Sequence, residues 1–347
     1  MDYKSPKIIL HNKLDRQTLE KKLEQESFTR KTISFYRYTE IINPQEFRDL
    51  LYKKWSDLDC LGRVYIAKEG INAQMSVPNH NWQAFEEQLN SFKELKNISI
   101  KIAIEDNGKS FLKLSVKIRK QIVADGLSMN DYDVTNVGKH LDAKSWNELM
   151  NNSESIVVDM RNHYESEIGH FKESILPRSE TFKEELPEVL NLLKGKKEKP
   201  IMLYCTGGIR CEKASAFLKH NGFKDVNQLH GGIIDYARQV RVNGIENKFQ
   251  GKNFVFDERL GESISADVIS NCHQCGKSND THVNCANKSC NLLFIQCKKC
   301  QELMEKTCSD ECKEIINLPE EDQVIHRRKS GLEKKAKRFF RSHLNKK

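Results

Sequence analysis

Cys205 opens the segment Cys205-Thr206-Gly207-Gly208-Ile209-Arg210, which gathers a thiol, a glycine pair and a guanidinium within six residues. The apolar run Ile201-Met202-Leu203-Tyr204 before it reads as a buried strand, and Ala214, Phe217 and Leu218 after it recur at helical spacing. The thiol therefore stands in a tight loop between a strand and a helix. There it faces main-chain N–H groups and the positive end of the helix, a setting that lowers a cysteine's pKa and yields the thiolate that attacks sulfur or phosphorus. Gly207 and Gly208 let the backbone curl round the sulfur without a Cβ in the way. Arg210 closes the loop with a fixed positive fork. A merely structural cysteine would leave the glycine pair and the arginine without purpose. The reading expects an ionised thiol that solvent can reach.

A second constellation lies near the C-terminus. Eight of the eleven cysteines form four pairs: Cys272 with Cys275, Cys285 with Cys290, Cys297 with Cys300, and Cys308 with Cys312. Spacings of this kind let both thiolates of a pair reach one tetrahedral ion, so eight thiolates imply two four-cysteine sites, with zinc the expected occupant ahead of an iron–sulfur cluster. His273 and His282 are substitutes should one cysteine stay free. Closed four-ligand sites are structural, because no position stays open for a substrate. A segment this short cannot bury enough apolar area by itself, so the metal is expected to supply its folding energy. Spacing does not decide which pairs share an ion.

The elements that must position these groups follow from periodicity. A chain of 347 residues suits two or three domains. Residues 1–30 read as a polar N-terminal extension. Over 31–125, Phe35-Tyr36-Arg37-Tyr38, Arg63 to Ala67 and Asn72 to Val77 read as strands. Ile98, Ile100, Ile102 and Ile104 alternate, as do Leu112, Leu114, Val116 and Ile118. Phe47, Leu50, Leu51, Trp55 and Leu58 fall at helical spacing, as do Trp82, Phe85, Leu89 and Phe92. The order β-α-β-β-α-β predicts a ferredoxin-like α+β domain with one open sheet face. Over 135–245 strands alternate with helices, which predicts a parallel α/β sheet with flanking helices. Asp159, Arg161 and Cys205 fall at carboxyl ends of its strands, where such sheets gather their chemistry. Residues 243–261 read as a polar, glycine-containing linker, 262–318 as a small Cys-rich zinc module, and 319–347 as a tail.

The net charge of +8 belongs to that tail. From Arg327 to Lys347 ten lysines and arginines face one acid, Glu333, leaving the rest of the chain near neutral. Such a tail suits a polyanion. No apolar run is long enough to span a membrane, and Met1-Asp2-Tyr3-Lys4 lacks a secretory pattern, so a soluble cytoplasmic protein is expected.

Residues 141 to about 240 resemble a rhodanese domain. Asp159 and Arg161 match its Asp-x-Arg, Gly169-His170-Phe171 its Gly-His-Ile segment, Cys205 to Arg210 its six-residue loop, and Leu229-His230-Gly231-Gly232 its closing turn. Related phosphatases carry a Cys-x5-Arg loop, one residue longer, so the cradle here is sized for a persulfide sulfur. More narrowly, Tyr204 to Ser215, Ala67-Lys68-Glu69-Gly70-Ile71-Asn72-Ala73 and Leu293-Phe294-Ile295-Gln296-Cys297 resemble the bacterial tRNA uridine(34) hydroxylase family. The resemblance implies oxygen-dependent hydroxylation of wobble uridine to 5-hydroxyuridine, with tRNA as partner, molecular oxygen as co-substrate, and Cys205 as a persulfide-forming residue.

The residues alone show no iron triad and no flavin or nicotinamide fingerprint, so the redox cofactor is left open. They support a nucleophilic thiolate at Cys205, with Arg210 steadying loop and charge, and Asp159 and Arg161 buttressing the loop as an ion pair. Cys211 reads either as a small residue packing the first helical turn, the favoured reading, or as a thiol that traps oxidised Cys205 as a disulfide. Phe35, Tyr36, Tyr38 and Tyr65 are candidates to stack bases, although core packing is the favoured reading of any one of them, and Lys113, Lys117, Arg119 and Lys120 are candidates to meet phosphates. Two other functions fit the residues: a sulfurtransferase passing on persulfide sulfur, and an RNA-binding protein with a vestigial rhodanese fold.

Overall fold

The computed structural model describes residue 12, residues 14–127 and residues 132–333, with side chains to 328. The basic tail beyond 333, expected to meet a polyanion, lies outside the described residues. The chain forms two compact units, Met1–Ala124 with Asp257–Arg259, and Asp125–Phe256 with Leu260–Lys347.

The first unit contains α1 (Arg16–Glu24), β1 (Arg30–Tyr38), α2 (Pro44–Ser56), β2 (Leu61–Ala67), β3 (Gly70–Pro78), α3 (Trp82–Ser91), β4 (Lys101–Ile102) and β5 (Leu114–Ile118). Its sheet runs β4-β1-β3-β2-β5. The first four strands have the ferredoxin-like order expected from the sequence, and β5 joins β2 in parallel as a fifth. The alternating isoleucines from 98 to 104 yield only a two-residue strand, because Ile98, Ile100 and Ile102 pack on the core edge half-buried instead of pairing throughout. Asn43 caps α2 through its side chain, and Phe47, Leu51 and Trp55 on its inner face meet the sheet. The rings of Phe35, Trp55 and Phe85 pack against one another in that core. Phe35 is 1% exposed, so it takes the favoured core-packing role and is no candidate to stack a base. The motif Ala67 to Ala73 forms the β2–β3 hairpin. Gly70 is required there, since a Cβ would lie 2.0 Å from the Arg37 carbonyl oxygen. Buried Glu69 accepts the Ile122 N–H at 2.7 Å and so ties the following segment to the hairpin.

The second unit begins with β6 (Lys139–Leu141), α4 (Ala143–Met150), β7 (Ile156–Asp159), α5 (His163–Ser166), β8 (Gly169–Phe171), α6 (Phe182–Leu192), β9 (Ile201–Tyr204), α7 (Ile209–His220), β10 (Val226–Leu229) and α8 (Gly232–Asn243). Strands β6-β10-β9-β7 form a parallel sheet. Every residue of β9 is buried, as expected of a strand covered on both faces. Met202 and Tyr204 join Trp146 of α4 and Tyr236 of α8 in one core, while α6 packs on α7. Residues 243–261, expected as a linker, contain β11 (Phe249–Asn253). This strand pairs with β8 on one side and with β12 (Glu262–Ser263) on the other. Gly169 and Gly251 allow the close β8–β11 approach, a Cβ on Gly169 falling 2.1 Å from the Lys252 carbonyl oxygen. The cysteine-rich segment is a hairpin, β13 (His282–Asn284) with β14 (Leu293–Ile295), followed by α9 (Lys298–Leu303) and α10 (Asp310–Ile316). Acidic Glu320, Glu321 and Asp322 occupy the first turn of α11 (Glu320–Glu333), where they suit the helix dipole. No helix among the described residues is long and apolar enough to cross a membrane.

Candidate active site and metal centres

Strand β9 ends at Tyr204, and the chain turns at once into α7, so Cys205 lies under the helix N-terminus. Its Sγ accepts the Gly208 N–H at 3.2 Å and further N–H groups from Arg210 and Cys211. Gly208, the N-cap of α7, has a φ of +98°, a left-handed conformation that side chains rarely adopt. Burial alone would push the Cys205 thiol up. The hydrogen bond from the Cys211 thiol, the Arg210 charge and the amide donors outweigh that and bring it down to about 6. The sulfur is therefore ionised at neutral pH. Its side chain is 0% exposed, against the expectation of an open thiol. Its loop neighbours Thr206, Gly207 and Ile209 are half-buried.

Arg210 does not point to solvent. Its Nη1 and Nη2 donate to Glu165 Oε1 and Oε2 at 2.6 and 2.8 Å. Glu165 is 0% exposed, and its Oε1 also accepts the Asn162 N–H at 3.0 Å, which fixes α5. Glu185 on α6 is equally buried, and both its carboxyl oxygens lack a hydrogen-bond partner. Burial pushes that carboxyl well above the usual range against the pull of Arg210. Neither glutamate was singled out from the sequence. Glu165 follows Asn162 at capping-box spacing. Glu185 falls on the apolar stripe of Phe182, Leu186 and Val189, where a carboxylate is out of place.

Asp159 and Arg161 form the expected ion pair, fully buried, with Nε–Oδ1 at 2.9 Å and Nη2–Oδ2 at 2.6 Å. Asp159 is in register with Tyr204, one residue before Cys205. Arg161 also donates to the Gly169 carbonyl at 2.5 Å and so braces the β8 edge. The turn Gly231-Gly232 closes the loop from the other side. The Ile233 N–H donates to the Cys205 carbonyl at 3.0 Å. A Cβ on Gly232 would sit 2.5 Å from that same oxygen, so only glycine allows the approach.

Cys211 is also 0% exposed. Burial and the neighbouring Cys205 sulfur push the Cys211 thiol far up, so it stays protonated. Its full burial at the first turn of α7 agrees with the favoured reading of Cys211 as a packing residue.

The eight distal cysteines resolve into two groups whose sulfurs all lie within 4.8 Å of one another: Cys272, Cys275, Cys297 and Cys300, and Cys285, Cys290, Cys308 and Cys312. The pairs interleave, first with third and second with fourth. Contacts of 3.7 Å for Cys275–Cys297, 3.6 Å for Cys290–Cys308 and 3.7 Å for Cys308–Cys312 match the roughly 3.8 Å edge of a thiolate tetrahedron with 2.3 Å metal bonds. Backbone and amide donors reach two of the sulfurs, Cys297 N–H to Cys272 and Asn287 to Cys312, both at 3.3 Å. Each group fits one tetrahedral ion. His273 and His282 belong to neither, which corrects their standing as substitute ligands. His273 instead meets Glu167 at 2.7 Å and accepts the Ile295 N–H, tying the metal-binding hairpin to α5. Buried His282 packs edge-on against Phe254 and is held neutral, its pKa lowered by burial to about 4.

Fold and loop together define a rhodanese-domain protein. Residues 142–239 match the rhodanese-like domain family, 250–313 the rhodanese C-terminal family, and 30–122 the UPF0176 acylphosphatase-like domain family. Over 314 residues the chain is 59% identical to a tRNA uridine(34) hydroxylase of Leptospira interrogans, covering 90% of this chain and 86% of that protein. A Photorhabdus laumondii protein of the same name is 50% identical over 335 residues, covering 96% and 95%. The chain belongs to the tRNA uridine(34) hydroxylase family.

Proposed function

We propose that this protein hydroxylates uridine 34 of tRNA to 5-hydroxyuridine with molecular oxygen, and that Cys205 is its reactive thiolate. The observation that carries the reading is an intact Cys205–Arg210 loop, with the sulfur ionised, inside a chain 59% identical to a named hydroxylase over 90% of its length. The ring of N–H donors stabilises negative charge on sulfur, and burial keeps water from it. Arg210 and Glu165 hold the charge balance of the loop. Gly207 and Gly208 permit its curl, and Asp159 with Arg161 braces the strand that delivers it. Each cysteine group would hold one zinc ion with all four positions taken by thiolates, which would brace the C-terminal module and leave no open position for chemistry.

For tRNA, the sheet face of the first unit offers a platform. Tyr36, Asn72, Tyr65 and Lys117 stand in one row across β1, β3, β2 and β5. Lys101 Nζ lies 4.8 Å from the Tyr36 ring centre and Arg119 Cζ 5.2 Å from that of Tyr65. Lys113, Lys117, Arg119 and Lys120 are exposed. Aromatic faces among cations suit splayed bases and phosphates. A tRNA substrate places the protein in the cytoplasm.

The test is nucleoside mass spectrometry of tRNA from a strain that loses 5-hydroxyuridine-derived nucleosides when the gene is deleted. Wild type restores them and Cys205→Ala does not. Restoration by Cys205→Ala overturns the reading. A second function, sulfur transfer, is favoured by the four-residue spacing between Cys205 and Arg210. Thiosulfate turnover lost in Cys205→Ala, with unchanged wobble uridines, would select it.

A further inference from the structure

We infer that His273 is a positioning residue for the Cys205 loop, holding Arg210 in place through Glu167 and the single turn of α5, an inference that rests on the thiolate reading proposed above. Helix α5 has four residues, far too few to keep its shape unaided. It therefore takes its position from what grips it. Glu167, its C-cap, keeps helical angles, and its N–H donates to the His163 carbonyl at 3.0 Å. Residues two apart on such a turn project about 200° apart. Glu165 thus faces the active loop, where it holds Arg210, and Glu167 faces the other way, where it meets the metal-binding hairpin.

The hairpin side is built to make that one hydrogen bond. The Ile295 N–H donates to His273 Nδ1 at 3.2 Å, so this nitrogen carries no proton and the ring's proton stands on Nε2. Nε2 then donates to Glu167 Oε1 at 2.7 Å. The His273 side chain is fully buried, and its main-chain N–H donates to the Ile295 carbonyl at 2.8 Å, so ring and backbone are both tied to β14. Cys272, one residue earlier, belongs to the first metal-binding group, and a bound ion there would fix the same backbone. Tyr164 of α5 and Ile168 just beyond it pack with Phe254, Leu293 and Ile295 in one apolar cluster beside this bond.

The consequence falls on Arg210. Burial raises the Cys205 thiol, and the Arg210 charge is among the groups that bring it down, so where that charge stands matters. Glu165 fixes its place. Removing Glu165 leaves the bare guanidinium in the loop and lowers the thiol further. Loosening α5 does the reverse. The ion pair survives, Glu165 moves with the helix, and the guanidinium is drawn away from the sulfur. Cys205 then loses an opposite charge and its thiol rises. The titratable and charged groups around the sulfur, Glu165, Glu185, Arg210 and Cys211, are all left unaltered by a change at His273 or Glu167.

The pH profile of Cys205 alkylation tests this, with full-length protein and iodoacetamide, read on the Cys205 peptide. Wild type should show a midpoint of about 6. His273→Ala and Glu167→Ala should each move that midpoint up by about one pH unit, the scale of a lost opposite charge. Glu167→Gln keeps an oxygen that accepts the Nε2–H and should restore the wild-type profile. A merely structural contact would lower the melting temperature of both alanine variants and leave their midpoint at about 6. That result, or an equal shift in Glu167→Gln, overturns the inference and leaves the proposed function standing. A wild-type midpoint near 9.0, the ordinary thiol value, overturns the thiolate reading, and the inference falls with it. Should His273→Ala fail to fold, Glu167→Ala, which leaves the hairpin's own residues intact, decides.

Discussion

Glu165 grips Arg210 with both carboxylate oxygens, 2.6 and 2.8 Å from the guanidinium nitrogens. The Glu165 carboxylate is fully buried, so the pair sits where water screens little. Removing one partner of such a pair leaves the other as an uncompensated buried charge, at a cost of about 3–5 kcal/mol. Glu165→Gln should lose stability on that scale in urea unfolding. In the folded variant the unneutralised Arg210 should drive the Cys205 thiol below its present value of about 6. An unchanged thiol titration would show that Arg210 does not govern the sulfur.

The thiol itself sets a pH dependence. Cys205 is lowered from 9.0 to about 6, so its reactive form fills as pH rises through 6. Alkylation of Cys205 by iodoacetamide, followed on its own peptide, should rise about tenfold per pH unit below that point and level off above it. The linked stability has the same sign. It is fully present above the unfolded thiol's value, shrinks as pH falls through the window from 9.0 to about 6, and is absent below it. The difference in melting temperature between wild type and Cys205→Ser should therefore widen from pH 6 upward.

Interleaved metal sites predict a pattern of double substitutions. Cys272→Ser and Cys297→Ser remove ligands from the same group, whereas Cys272→Ser and Cys290→Ser strike different groups. Metal analysis of purified protein should find about two zinc ions per chain, about one after the first pair of changes and almost none after the second. Pairing in sequence order would leave almost none after the first pair as well. A strong chelator should unfold the hairpin module and free its thiols.

Gly232 and Gly195 have similar left-handed backbones, with φ of +67° and +78°. A Cβ built on Gly195 would meet nothing within 4 Å beyond its chain neighbours, whereas a Cβ at Gly232 would strike the Cys205 carbonyl. Gly195→Ala should cost only the backbone strain, about 1 kcal/mol. Gly232→Ala should cost several times more and displace the loop, lowering kcat. Equal melting temperatures for the two variants would mean that the closing turn yields freely.

Much of this site was legible because its signals are local. Cys205, Gly207, Gly208 and Arg210 lie within one turn, and the two-residue period of the N-terminal strands exposed the ferredoxin-like order. What escaped depends on distant partners. Strand β5 pairs with β2 across about fifty residues of chain, and nothing in its alternation names that neighbour. The four cysteine pairs announce metal, but which pairs share an ion depends on how the β13–β14 hairpin folds back. Glu165 and Glu185 look like ordinary charged residues until Arg210 and the apolar face of α6 are in place.

The most direct measurement is mass analysis of position 34 after purified protein meets unmodified tRNA under oxygen-18 gas. The account predicts one labelled oxygen at uridine 34 with wild type and none with Cys205→Ala. Label arriving from water instead, or equal incorporation by both proteins, would contradict it.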